Sequence, residues 1–171
     1  TYDNGPLSLG LGFDRIDGNT NNGTDFTIDQ TSWQLGGGYN FGVARLLGFY
    51  KESKFKDDGV GAAGDSAKFK TFGLGVTAPV GAAGEVRASY NHYRLSADGG
   101  ATPKADHLSV GYVHNLSKRT ALYGTASYIT NKKKGGATFT LNSEMAGLDG
   151  AGLKKNGGKQ GGLQVGIRHA F

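Results

Sequence analysis

The stretch GGLQVGIRHAF, residues 161–171, decides how the rest of the sequence is read. In an extended chain Leu163, Val165, Ile167, His169 and Phe171 fall on one side, and Gln164, Gly166, Arg168 and Ala170 on the other. Most domains trail off into loosely held polar residues. This segment instead keeps a two-faced strand pattern up to a bulky aromatic. Moving upstream, period-two alternation recurs in PLSLGLGFD (6–14), TIDQTSWQLGGGYNF (27–41) and KTFGLGVTAPV (70–80). It returns in GEVRASYNHYR (84–94), DHLSVGYVHN (106–115) and TALYGTASYIT (120–130), while helical periodicity is nearly absent. ARLLGFYKES (44–53) is also strand-like, but its adjacent leucines leave its facing open. The pattern predicts eight strands, antiparallel because no helix is available for parallel crossovers.

The connections carry the second signal. IDGNTNNGTD, KFKDDGVGAAGDSA, SADGGATPKA and the segment from Asn131 to Lys159 are long, whereas FGV, PVGAAGE and NLSKRT are short. Long and short alternate strictly, as in an outer-membrane barrel with turns on one side and loops on the other. With the short turns placed in the periplasm, Tyr39, Phe41, Tyr112 and Phe171 lie near the inner rim. Phe13, Phe72, Tyr90 and Tyr128 then lie near the outer rim, and Leu, Val, Ala and Gly fill the band between. Two aromatic girdles mark two membrane interfaces. A soluble ligand-binding barrel would put charge on its polar face. Here that face is Ser8, Gly10, Gly12, Gly73, Gly75, Ser89, Ser109, Gly111, Thr125, Ser127 and Gly166.

Composition agrees. Among 171 residues there are 31 Gly, 3 Pro and no Cys, which excludes a disulfide framework and thiolate chemistry. Aromatics at 11% are too many for a disordered chain. No run of 18 apolar residues occurs, so a transmembrane helix is excluded. The chain opens on TYDNGPLS without an initiator Met or a leader, which points to a processed chain or an internal cut. The net charge of +5 admits an anionic partner of some kind.

GLQVGIRHAF (162–171), HNLSKRTALYG (114–124), ASYNHYR (88–94) and YDNGPLSLGLGF (2–13) together resemble the C-terminal half of a general porin of the beta-proteobacterial type. The resemblance covers essentially the whole chain. It implies a 16-stranded, usually trimeric barrel that passively conducts small hydrophilic solutes across the outer membrane. Members run to about twice this length, and their constriction loop belongs to the half that has no counterpart here. In these proteins the C-terminal Phe of an alternating strand is the signal read by the barrel-assembly machinery, a role that falls on Phe171 with His169 and Ile167. The expected class is therefore an all-β antiparallel transmembrane barrel, eight strands and half of a porin, with residues 1–171 as one segment. A closed eight-stranded barrel acting as an adhesin, structural protein or rim-site enzyme is the alternative. Its interior would be left hollow by so many small residues.

Parity turns Arg87 and Arg168 toward the lumen, and the same pore-lining role is expected of Lys68 and Lys70. Fixed guanidinium groups favour anions in a narrow pore, unless they merely pair with Asp14, Glu85 or a loop carboxylate. Lys132, Lys133, Lys134, Lys154, Lys155 and Lys159 make the longest loop basic, as an anion funnel, a contact for lipopolysaccharide phosphates or a solvated loop. These lysines lack the interleaved aromatics of a nucleic-acid platform. His92, His107, His114 and His169 show no metal-ligand spacing, and Asp57, Asp58 and Asp65 lack calcium-loop grammar. No GxSxG or other local triad signature occurs. The expected activity is passive transport, which needs neither cofactor nor catalytic residue. Its expected partners are outer-membrane lipid, lipopolysaccharide, the assembly machinery, two further copies of the chain and small anionic solutes.

Overall fold

The computed structural model describes residues 1–17, 28–57, 66–97, 102–132, 139 and 158–171. The expectations for Asp58, Asp65, Lys133, Lys134, Lys154 and Lys155 lie outside the described residues.

Among the described residues nine strands form one antiparallel sheet whose spatial order is the chain order. They are β1 (Tyr2–Asn4), β2 (Leu7–Ile16), β3 (Ile28–Asn40), β4 (Arg45–Asp57), β5 (Ser66–Val80), β6 (Gly84–Ala97), β7 (Lys104–Asn115), β8 (Thr120–Asn131) and β9 (Lys159–His169). The expected class holds, but the count of eight is corrected. Tyr2, Asp3 and Asn4 pair with Leu9, Ser8 and Leu7 through the two-residue loop Gly5–Pro6. Gly5 takes φ 55°, as the first position of a tight hairpin turn demands, so Tyr2–Asn4 is a hairpin arm that the eight alternating stretches do not include.

The other short connections lie at the same end of the sheet. Gly42 and Gly81, with φ 85° and 64°, supply the left-handed positions in two of them. In the third, the Ser117 hydroxyl accepts hydrogen bonds from the amides of Arg119 and Thr120 at 3.1 and 3.0 Å. Minimal turns at this end thereby join β1 to β2, β3 to β4, β5 to β6 and β7 to β8, and β9 ends there.

The β2–β9 ladders run without interruption, so side-chain facing follows by parity across the whole sheet. One face carries Leu11, Leu35, Leu74, Val110, Leu163 and Val165, all exposed, Leu11 at 73% and Val165 at 74%. Among the described residues only Ala105, Ala121 and Ile129 are buried hydrophobics. A sheet with this distribution has no water-excluding core of its own; its apolar face is the part that wants lipid. The facing of β4 is settled by its pairing: Leu46 stands opposite Tyr39 and Val76 on the apolar face, which sends Arg45, Leu47, Phe49 and Lys51 to the other.

Strands of up to 15 residues exceed what the hydrocarbon core requires. The surplus lies beyond the outer aromatics and is charged. No ladder joins β1 or β2 to β9 among the described residues, so the closed eight-stranded alternative is not the arrangement here.

Candidate functional site

The polar face is built from cross-strand rows. Ser89 stands opposite Ser109, which stands opposite Ser127, and the Ser109 and Ser127 hydroxyls are 2.7 Å apart. Farther along β3 and β4 the Ser32 hydroxyl donates to Ser53 Oγ at 3.0 Å in a buried pair. One row brings Arg45 beside Thr77, Thr77 beside Arg87, and Arg87 beside Gly111 and then Thr125. Small residues between the cations leave the surface concave.

A cavity of about 420 Å³ opens on this face and is lined by Arg87 and Arg168 together with Thr77, Ser89, Ser109 and Thr125. Arg87 and Arg168 thus come together on one cavity of the polar face. A second recess of about 700 Å³ continues it and is lined by Arg45, Ser8, Gln34, Phe49, Gly73 and Asn91. The partners of the arginines differ. Arg87 Nε lies 2.5 Å from Glu85 Oε1, so its charge is partly offset within its own strand. Arg45 Nη2 donates to Ser8 Oγ at 3.3 Å. Arg168 has no carboxylate partner among the described residues. Arg45 escapes the sequence reading because Leu46 and Leu47 hide the facing of β4.

Lys68 and Lys70 do not line this wall, which corrects the expectation. Their parity is that of Phe72, Leu74 and Val76, the apolar face. Both are held there by Glu52, at 3.4 and 3.1 Å, and Glu52 itself stands opposite Trp33. The alternation that places Phe72 outward continues through the strand end.

Toward the long-loop end the polar face closes over a small aromatic cluster. Phe69 and Tyr93 stack with centroids 6.2 Å apart, and Phe139 packs on both at 5.9 and 5.6 Å. The Asn131 side chain holds Phe139 in place: its amide donates to the Phe139 and Gly158 carbonyls at 3.0 and 3.2 Å. It also accepts from the Phe139 amide at 2.9 Å. The sequence reading leaves Phe139 in an outer loop. The alternation in ATFTL (137–141) is the one signal that marks it as wall-bound. His107, beside this cluster, contacts the Ser109 hydroxyl at 3.0 Å and the Tyr93 hydroxyl at 3.4 Å, partners without a carboxylate. The His92–Asp106 pair lies on the opposite face.

At the short-turn end His169 Nδ1 is 2.9 Å from Thr120 Oγ1, and the Ala170 amide donates to the Arg119 carbonyl at 2.9 Å. Phe171 stands fully exposed, edge-on to the His169 ring at 5.0 Å. Ile167, opposite Leu122, is also exposed on the apolar face.

The family model described as Gram-negative porin matches residues 1–134. Outer membrane porin protein 32 of Delftia acidovorans is 42% identical over 170 residues, covering 99% of this chain and 44% of that protein. An outer membrane porin protein of Bordetella pertussis is 31% identical over 192 residues, with the same coverage of 99% and 44%. A solved anion-selective porin from Comamonas acidovorans superposes with a TM-score of 0.77 at 38% identity, over 99% of this chain and 47% of its own. The chain thus spans less than half the length of these relatives.

Proposed function

The chain belongs to the Gram-negative porin family, and from that premise we propose that it forms half the wall of a passive, anion-preferring diffusion pore in the outer membrane. The carrying observation is the row that sets Arg45 and Arg87 on one wall, with Arg168 in the same recess as Arg87, amid Ser, Thr and Gly. Small polar residues keep the passage wide and wettable, while fixed guanidinium groups bias which ions enter it. Passage is diffusion, so no residue here is assigned a chemical step and no cofactor is invoked. The exposed apolar face meets lipid, and a closed trimer of full-length chains is the assembly the family resemblance favours. Phe171, with His169 and Ile167 on the same strand face, is assigned as the mark read during assembly.

Each arginine has a bounded effect. Two unit charges about 10 Å apart interact by roughly 0.4 kcal/mol in bulk water and about 1.7 kcal/mol at an effective dielectric near 20. Glu85 lowers the share of Arg87, which leaves Arg168 and Arg45 as the larger contributors. The test is the reversal potential of full-length pores across a KCl gradient in planar bilayers. Arg45→Gln/Arg168→Gln should shift it toward cations, and more than Arg87→Gln does. An unchanged reversal potential in a variant lacking all three arginines would overturn the anion preference assigned to this wall.

A further inference from the structure

The lipid-facing side carries an arrangement that diffusion through the lumen does not use. Beyond the outer aromatics Tyr50, Phe72 and Tyr90, the same face continues into Lys54, Lys68, Lys70, Arg94 and Lys104 on four neighbouring strands. In register Lys54 stands opposite Lys68, Lys70 opposite Arg94, and Arg94 opposite Lys104. Like charges directly across a ladder destabilise a sheet, and here three such appositions lie side by side. Glu52 offsets Lys68 and Lys70. Asp106, next on the face, is taken by Tyr90, His92 and Lys132. Lys54, Arg94 and Lys104 have no carboxylate partner among the described residues, and Lys54 and Arg94 are exposed.

We infer that this patch docks the phosphates of an anionic glycolipid in the outer leaflet. It rests on the porin reading, because that reading turns this face to lipid. Two features select the occupant. The cations sit two to four residues past the girdle, about 7–14 Å along the strand, at the depth of headgroups rather than of acyl chains. They also span three inter-strand spacings, about 14 Å, which suits a headgroup bearing two separated phosphates better than one free ion. A bound diphosphorylated headgroup supplies the anions that Lys54, Arg94 and Lys104 lack.

The experiment uses the full-length porin in detergent, as wild type, as Lys54→Gln/Arg94→Gln/Lys104→Gln, and as Lys159→Gln, a lysine on the same face at the far strand. Each is titrated with diphosphoryl lipid A, with fully dephosphorylated lipid A and with inorganic phosphate, and binding and thermal unfolding are followed. Diphosphoryl lipid A should raise the melting temperature of wild type and of Lys159→Gln. The triple variant should bind it at least tenfold more weakly, and should melt no lower than wild type when lipid is absent. Equal binding by triple variant and wild type overturns the assignment. So does an equal response to dephosphorylated lipid, or saturation by inorganic phosphate alone. All three proteins are also assayed for conductance: pores that conduct without discriminating the lipids count against the patch alone, whereas wild type that fails to conduct counts against the channel reading.

Discussion

Gly73 offers the sharpest test of how the lumen keeps its width. Phe49 projects into the lumen from β4, and its ring lies over Gly73 on β5. A Cβ at Gly73 would sit 2.3 Å from Phe49 Cε1 and 2.5 Å from Asn91 Oδ1. Asn91 can rotate away, but the ring must retreat by about 1.1 Å to reach an ordinary contact of 3.4 Å, and leaving the wall carries it into the pore. Forcing such a ring off its rotamer costs about 0.5–1.5 kcal/mol, and overpacking of this kind totals about 1–3 kcal/mol. Two residues along the same strand and face, a Cβ at Gly75 would find nothing nearer than 3.6 Å. There Gly→Ala should instead stabilise by about 0.5–1 kcal/mol, by removing the backbone entropy of glycine. Gly73→Ala should therefore lower both the urea midpoint and the single-channel conductance, while Gly75→Ala lowers neither. Adding Phe49→Ala to Gly73→Ala should restore conductance, a coupling that a double-mutant cycle isolates. If both glycine variants behave alike, or if Phe49→Ala gives no rescue, the ring-in-notch account is refuted.

Other expectations follow from the same geometry. Single cysteines at positions 20, 60 and 145 should react with an impermeant maleimide on intact cells, whereas one at Lys118 should not; equal labelling would reverse the orientation argued from the turns. Deleting Phe171 should impair insertion of the full-length porin far more than the ~1.5–3 kcal/mol of its ring burial could explain, as measured by the folded fraction in outer-membrane preparations. Normal insertion would remove the assembly role. Asn131→Ala strips three hydrogen bonds around Phe139. A net loss of about 1 kcal/mol should speed exchange of the Phe139 amide roughly fivefold, and unchanged exchange would show that the aromatic stack alone holds it.

Much of this is legible in the residues, for a mechanical reason. A strand that separates lipid from water must alternate at every position, so Leu7 to Phe13 and Leu163 to Ile167 declare their faces without any contact being known. The shared wall of Arg87 and Arg168 follows from that parity. Legibility fails where alternation is interrupted or abandoned. Leu46 and Leu47 both look lipid-facing, and only pairing with Tyr39 and Val76 shows which is. Lys68 and Lys70 are expected at the pore because they are cations, although Phe72 on the same parity already points them outward. Phe139 finds its place through Asn131, and the short alternation of ATFTL does not name that partner. The Tyr2–Asn4 arm is too short to alternate visibly.

The four short connections, at residues 5–6, 41–44, 81–83 and 116–119, all lie at one end of the sheet, and β2 begins and β9 ends there as well. Strands β2 to β9 are therefore an even block that leaves the membrane on the side where it entered. Such a block can be duplicated, deleted or exchanged within a larger barrel without inverting any strand outside it. A block of odd number would turn every later loop to the wrong compartment. The architecture thus comes in units whose gain or loss preserves sidedness, and an ancestor could have changed pore calibre by whole blocks while every surviving loop kept its address.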